Sequence, residues 1–142
     1  MTNIESMDPK TAFDAIQADG ACAFLDVRTT EEYDQGHPQG AVNVPWAIVD
    51  TRSGQMAPNP EFLATVQKHY GGEQKLFLSC QAGMRSLRAC QDLEGAGFTN
   101  LVNVDGGYGG RRDPGGQVVT PGWVESELPV ENTPSTYGEL TA

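Results

Sequence analysis

The feature that most restricts this chain is the alternation of short, nearly continuous apolar runs with helix-like segments. The runs are "ACAFLDV" (21–27), "AVNVP" (41–45), "KLFLS" (75–79) and "NLVNV" (100–104). Runs this short, bounded by polar punctuation, suit strands buried on both faces. Helix signals fall between them. Asp8 and Pro9 read as N-cap and first helical residue, with Phe13 and Ile16 on one stripe and Gly20 as the stop. Thr29 and Glu32 stand at capping-box spacing. Asn59 and Pro60 open a segment in which Phe62, Leu63, Val66 and Tyr70 recur at helical spacing up to Gly71, and a further helix is expected from Ser86 to Gly95. Parallel neighbours need crossover connections, so the alternation predicts an α/β fold with a mostly parallel sheet and helices on both faces.

The remainder of the chain is punctuation. Residues 51–60 are polar and rich in Gly and Pro, which marks a surface loop. From Arg111 onward Gly and Pro dominate again, with Trp123, Val124 and Leu128 suggesting a short docked helix. A length of 142 residues fits one domain with one sizeable core. No apolar run approaches the roughly 20 residues that cross a bilayer, and "MTNIESMDPK" lacks the basic start and apolar centre of a secretory signal. A soluble, cytoplasmic protein is expected.

Charge and cysteine content narrow the chemistry. A net charge of -10 argues against nucleic acid and anionic membranes as partners. Cys22, Cys80 and Cys90 are an odd number at no metal-ligand spacing, and only His37 and His69 could join them, so neither a disulfide framework nor a zinc site is expected. Arg85, Arg88, Arg111 and Arg112 nevertheless cluster in sequence near Cys80, where an anionic substrate could be held locally.

The stretch "LFLSCQAGMRSLRACQDL" (76–93) carries the sharpest signal. It puts Cys80 at the carboxyl end of a strand, where open α/β sheets bind ligands. Gln81, Ala82, Gly83 and Met84 separate it from a helix, and Gly83 can take a positive φ that turns backbone N–H groups inward. Those amides and the positive end of the helix favour an anion on the sulfur, giving a nucleophile that needs no histidine base. Arg85 either offers forked donors to a sulfonate or phosphate or ties the loop to an acid.

In these residues the chain resembles the rhodanese family. "CQAGMRS" is similar to the family's C-x-x-G-x-R-S loop, "LDVRTTEEYDQGHPQGAVNVP" to its D-V-R and E-Y-x-x-G-H-x-x-G-A-x-N-x-P signature, and "VDGGY" and "WVESELPVE" to its closing elements, all in order from about residue 4 to 131. The resemblance implies an open, mostly parallel sheet of about five strands, a single domain over 1–131, and a tail over 132–142 free to be disordered. It also implies a sulfurtransferase that moves sulfane sulfur from thiosulfate or a related donor, through a persulfide on Cys80, to a thiophilic acceptor such as cyanide or a protein thiol. Gln81, Ala82, Gly83, Met84, Arg85 and Ser86 would bind substrate, Asp26 and Arg28 would brace the loop, and no metal or organic cofactor is implied.

Two other functions compete. A persulfide carrier or binding module shares the same intermediate. A cysteine-dependent phosphatase resembles C-x-x-x-x-x-R, with five residues between Cys and Arg where this chain has four, and usually carries histidine where Ser79 stands. Two features depart from compact members: "GRRDPGGQVVTPG", within 109–122, which either walls the site or is a surface excursion, and Met84 at a position often polar or basic. Elsewhere packing roles are expected: Cys90 in the core, Cys22 either in the core or as a resolving thiol, Trp46 and Trp123 as filler, His37 bonded to backbone, Gly106 and Gly107 for close backbone passage, and Arg88 solvated and paired with Asp92.

Overall fold

The computed structural model describes residues 4–142. In chain order, β1 (Ile4–Met7) leads to α1 (Pro9–Ala18), β2 (Ala23–Asp26) to α2 (Thr30–Gln35), and then come the short strands β3 (His37–Pro38), β4 (Val42–Asn43), β5 (Ala47–Val49) and β6 (Met56–Pro58). Then follow α3 (Phe62–His69), β7 (Leu76–Ser79), α4 (Met84–Gly95), β8 (Leu101–Val104), β9 (Arg111–Arg112), β10 (Val118–Thr120), β11 (Val130–Glu131) and α5 (Tyr137–Leu140). The main sheet has five strands in the order β1-β8-β7-β2-β4, parallel throughout.

Strand pleating divides the interior in two. Leu25, Leu76, Leu78 and Leu101 point to the face covered by α3 and α4, where Phe62, Val66, Ala89, Cys90 and Leu93 complete one core. Phe24, Phe77, Val102 and Val104 point to the other, against Ala12, Trp123 and Leu128. Helices therefore cover both faces, as the alternation predicts. Asp8 caps α1 by accepting the Thr11 N–H at 2.8 Å, and Thr29 and Glu32 form a reciprocal capping box on α2.

Several local expectations change. The strand Ile4–Met7 is absent from the reading of apolar runs; "IESM" is an edge strand with two exposed residues. Part of the expected loop 51–60 is ordered as β6, which pairs antiparallel with β5 around a turn. Residues 123–127 form a run of turns rather than a helix: Glu127 takes φ +58, and Trp123 is buried with its indole N–H on the Pro129 carbonyl at 2.7 Å. α4 begins two residues before Ser86. Residues 132–142 lie against the domain, with the Ser135 hydroxyl on Asn43 at 2.7 Å, the Asn59 amide on the Tyr137 hydroxyl at 2.7 Å, and Tyr137 and Leu140 on the α3–α4 core. Among the described residues no helix is long and apolar enough to cross a membrane.

Candidate active site

β7 is the central strand of the sheet, and Cys80 is the residue that follows it. Gly83, with φ +114, is the N-cap of α4 and brings no side-chain cap to that helix. The first N–H groups of a helix have no intrahelical acceptor. Here the sulfur supplies one: Cys80 Sγ accepts the Gly83 N–H at 3.1 Å and the Ser86 N–H at 3.3 Å. Ser86 is the third residue of α4, the position whose amide an ordinary N-cap oxygen would take. The sulfur thus stands where a capping oxygen normally does, in a place that favours negative charge. The N–H groups of Ala82, Met84 and Arg85 meet no acceptor among the described residues.

Burial of the thiol is greater than a cysteine at a strand mouth suggests. Cys80 is 2% exposed and belongs to the α3–α4 core, so its sulfur lies beneath the loop rather than at the surface. The loop itself is accessible, with Gln81 exposed, Ala82 half-buried and Met84 61% exposed.

The outer side of the loop is held by the chain after β8. Tyr108 N–H donates to the Cys80 carbonyl and Gly109 N–H to the Gln81 carbonyl, both at 2.8 Å. Gly107, at φ +53, lies so close that a Cβ there would strike the Cys80 carbonyl oxygen. The expected close passage is therefore observed against the cysteine loop at Gly107, where it lets one backbone ladder onto another, while Gly106 packs instead on Thr120 and Pro121.

Asp26 and Arg28 support from the opposite side. They form an ion pair at 2.8 Å with side chains 1% and 3% exposed. Arg28 also donates to the Gly36 carbonyl at 2.7 Å, lies 4.4 Å above the Tyr108 ring, and reaches Gln81 Oε1 at 3.4 Å. These contacts tie Arg28 to Gln81 and Tyr108 beside the loop.

In the structure Arg85 is paired with an acid. Its Nη1 and Nη2 bind Glu32 Oε1 and Oε2 at 2.7 and 3.0 Å, a two-point pair joining α4 to α2. Burial pushes the Glu32 carboxyl up, but the hydrogen bonds and charge of Arg85, with the bonds from the Thr29 backbone and hydroxyl, outweigh it and hold the carboxyl at about 2. The guanidinium still lies within electrostatic range of Cys80. Residue Glu32, read from sequence only as a cap, is therefore also the anchor of the loop arginine.

Other side chains resolve simply. Arg88 is exposed, but Asp92 accepts the Trp46 indole N–H at 2.8 Å in place of the expected ion pair. Cys90 is fully buried and pushed up to about 12, chiefly by that burial. Cys22, expected in the core, is half-buried before β2, and its thiol donates to the Asp19 carbonyl at 3.2 Å. Register places Ala23 beside Leu76, so Cys22 and Cys80 sit at opposite ends of the sheet, about 16 Å apart at 3.3 Å per residue. His37 is fully buried, bonded to the Tyr33 carbonyl at 2.9 Å and stacked on the Tyr33 ring at 3.5 Å.

The additional segment forms the β9–β10 hairpin. It walls a groove of about 780 Å³ that runs between α4 and β1, past Met84, Leu87 and Asn103. Arg111 and Arg112 line it, but Arg111 is paired with Asp105 at 2.8 Å and Arg112 with Glu125 at 2.9 Å. Asn103, which sequence reasoning passed over, joins this groove to the loop: its Oδ1 accepts the Ser86 hydroxyl at 2.6 Å. The available signal was a polar residue inside an otherwise apolar strand.

One cysteine, set by a glycine turn at a helix start on the carboxyl edge of a parallel sheet, defines an α/β domain of the cysteine-loop type. The chain belongs to the rhodanese-like domain family, whose model matches residues 10–110. It is 45% identical over 85 residues to thiosulfate sulfurtransferase 16, chloroplastic, of Arabidopsis thaliana, covering 60% of this chain and 69% of that protein. It is 41% identical over 107 residues to senescence-associated protein DIN1 of Raphanus sativus, covering 75% of this chain and 51% of the relative, about half its length. Among solved structures, that of Rv0390 from M. tuberculosis matches with a TM-score of 0.74 at 26% identity, covering 91% of this chain and 98% of that one.

Proposed function

We propose that this domain transfers sulfane sulfur from thiosulfate or a related donor, through a persulfide on Cys80, to a thiophilic acceptor such as cyanide or a protein thiol. The observation that carries the reading is the convergence of the Gly83 and Ser86 N–H groups on Cys80 Sγ. Fixed donors aimed at a sulfur stabilise its anion without reorganisation.

In the first half-reaction the Cys80 thiolate attacks the outer sulfur of thiosulfate. A new S–S bond forms, the old one breaks, and sulfite leaves with its electron pair. The amides of Ala82, Met84 and Arg85, which meet no acceptor among the described residues, are donors near in sequence to the added sulfur, while Arg85, fixed on Glu32, contributes charge at a distance rather than a direct fork. In the second half-reaction the acceptor bonds to the outer sulfur and the Cys80 thiolate departs.

The same arrangement disfavours phosphoryl transfer. The loop places four residues between Cys80 and Arg85, and the arginine fork is occupied by Glu32. Steady-state thiocyanate formation from thiosulfate and cyanide, with aryl phosphate hydrolysis in parallel, tests the reading. Ping-pong kinetics with no phosphatase turnover is expected. Phosphatase activity alone would overturn it, and a stable Cys80 persulfide with no turnover would make the domain a carrier.

A further inference from the structure

The Ser86 hydroxyl has one proton and three acceptors within reach. Its oxygen lies 2.6 Å from Asn103 Oδ1, 3.2 Å from the Gly83 carbonyl and 3.3 Å from Cys80 Sγ. A separation of 2.6 Å is that of a strong O–H···O bond, so the proton sits toward Asn103. The asparagine cannot turn over to avoid this, because its Nδ2 donates to the Gly83 carbonyl at 3.2 Å and a flip would set oxygen against oxygen. Ser86 is fully buried and Asn103, on the wall of the groove, is 5% exposed, which limits the access of water to the competing groups.

We infer that Asn103 is a positioning residue that holds the Ser86 hydroxyl proton away from Cys80 and so sets how readily the sulfur becomes anionic. In the resting thiol the Ser86 oxygen presents a lone pair to Sγ. Once the sulfur carries negative charge, that lone pair is repelled and the hydroxyl turns to donate to it, leaving Asn103 Oδ1 without its donor in a buried site. Asn103 therefore opposes the anion by way of Ser86, against the Gly83 and Ser86 amides that favour it. No bond is made or broken in this exchange.

Other charged and titratable groups surround the same loop. Arg85, restrained by Glu32, and the Cys90 thiol lie on α4 within electrostatic range of Cys80. Arg28, paired with Asp26, approaches from β2 through Gln81. Asp105, paired with Arg111, stands behind Gly83 after β8. None of these touches the Ser86 hydroxyl, so its rotation is a separate contribution.

The inference rests on Cys80 being the reactive thiol of the proposed function, but its test does not need sulfur transfer. The pH profile of Cys80 alkylation by iodoacetamide is measured in the full chain and in Asn103→Leu, Ser86→Ala and the double variant. Asn103→Leu, which keeps size and removes both the acceptor and the Nδ2 donor to the Gly83 carbonyl, is expected to move the profile to lower pH by about one unit, the scale of one hydrogen bond to a charged group. Ser86→Ala is expected to move it up, and in that background Asn103→Leu should have no further effect. An unmoved profile in Asn103→Leu, or an equal shift with and without the Ser86 hydroxyl, would overturn the inference. A second measurement needs no substitution: the Asn103 side-chain amide resonances of the wild type should titrate together with Cys80 alkylation, and invariant resonances would contradict the exchange. Loss of thiocyanate formation with these profiles intact would count against the proposed function alone.

Discussion

The guanidinium of Arg85 lies edge to edge with the carboxylate of Glu32, Nη1 on Oε1 at 2.7 Å and Nη2 on Oε2 at 3.0 Å. Glu32 Oε1 also receives the Thr29 backbone N–H at 3.2 Å. One carboxylate thus closes the capping box of α2 and fixes the first turn of α4 beside the cysteine loop. Its carboxyl, held at about 2 against an ordinary 4.5, contributes stability that is fully present above about pH 4.5 and is lost as pH falls through about 2. Glu32→Gln should lower stability near neutral pH by about 1 kcal/mol, a figure discounted for the partial exposure of the pair. In urea unfolding, the gap between wild type and variant should close on acidification. A gap that widens toward low pH would contradict this assignment.

Gly107 should tolerate no side chain. A Cβ there meets the Cys80 carbonyl oxygen and carbon at once, and φ +53 adds strain. Gly107→Ala is expected to cost more than about 3 kcal/mol, because the obstacle is the Cys80–Gln81 backbone rather than the end of a flexible side chain. Thermal unfolding measures it, and a variant within a few degrees of wild type would be inconsistent with the close passage.

The Asp26–Arg28 pair makes an asymmetric prediction. Asp26→Ala leaves a guanidinium that is 3% exposed without its counter-charge, which should cost about 3–5 kcal/mol. Arg28→Met, keeping bulk and removing the charge but leaving Asp26 buried, should also be severe. The double change to apolar residues should be milder than the sum of the two. Additive losses in chemical denaturation would mean that the two charges do not depend on each other.

Access to the sulfur should be selective for size. Cys80 is 2% exposed, Cys90 is fully buried and held at about 12, and Cys22 is half-buried at the far end of the sheet. Methyl methanethiosulfonate should modify Cys80 in the native protein, while a dye-bearing maleimide should not. Peptide mapping distinguishes them, and equal labelling of Cys80 by both reagents would show that the loop does not shield the sulfur.

Residues with a single physical task were legible in the sequence. Asp8 before Pro9, Thr29 three before Glu32, and Gly83 between a strand and a helix each announce a local conformation, and each adopts it. The central strands were legible because burial on both faces leaves little but apolar residues. The edge strand Ile4–Met7 and the β5–β6 hairpin were not: exposed residues such as Ile48, Val49 and Met56 break the alternation that marks a half-buried strand. Long-range pairings were hidden for a different reason. Arg85 finds Glu32 53 residues away, and Asp92 binds Trp46 rather than Arg88 one turn before it. Partner choice of that kind depends on which faces the sheet brings together, and helical spacing records only the neighbours within one helix.

The central claim is that Cys80, under the Gly83 and Ser86 amides, accepts one sulfur atom. Intact mass spectrometry of the protein after brief exposure to thiosulfate, with peptide mapping to locate the change, measures this directly. The account predicts a gain of about 32 Da confined to Cys80, removed by cyanide and absent from Cys80→Ser. An unchanged mass, or an added sulfur that persists in Cys80→Ser, would contradict it.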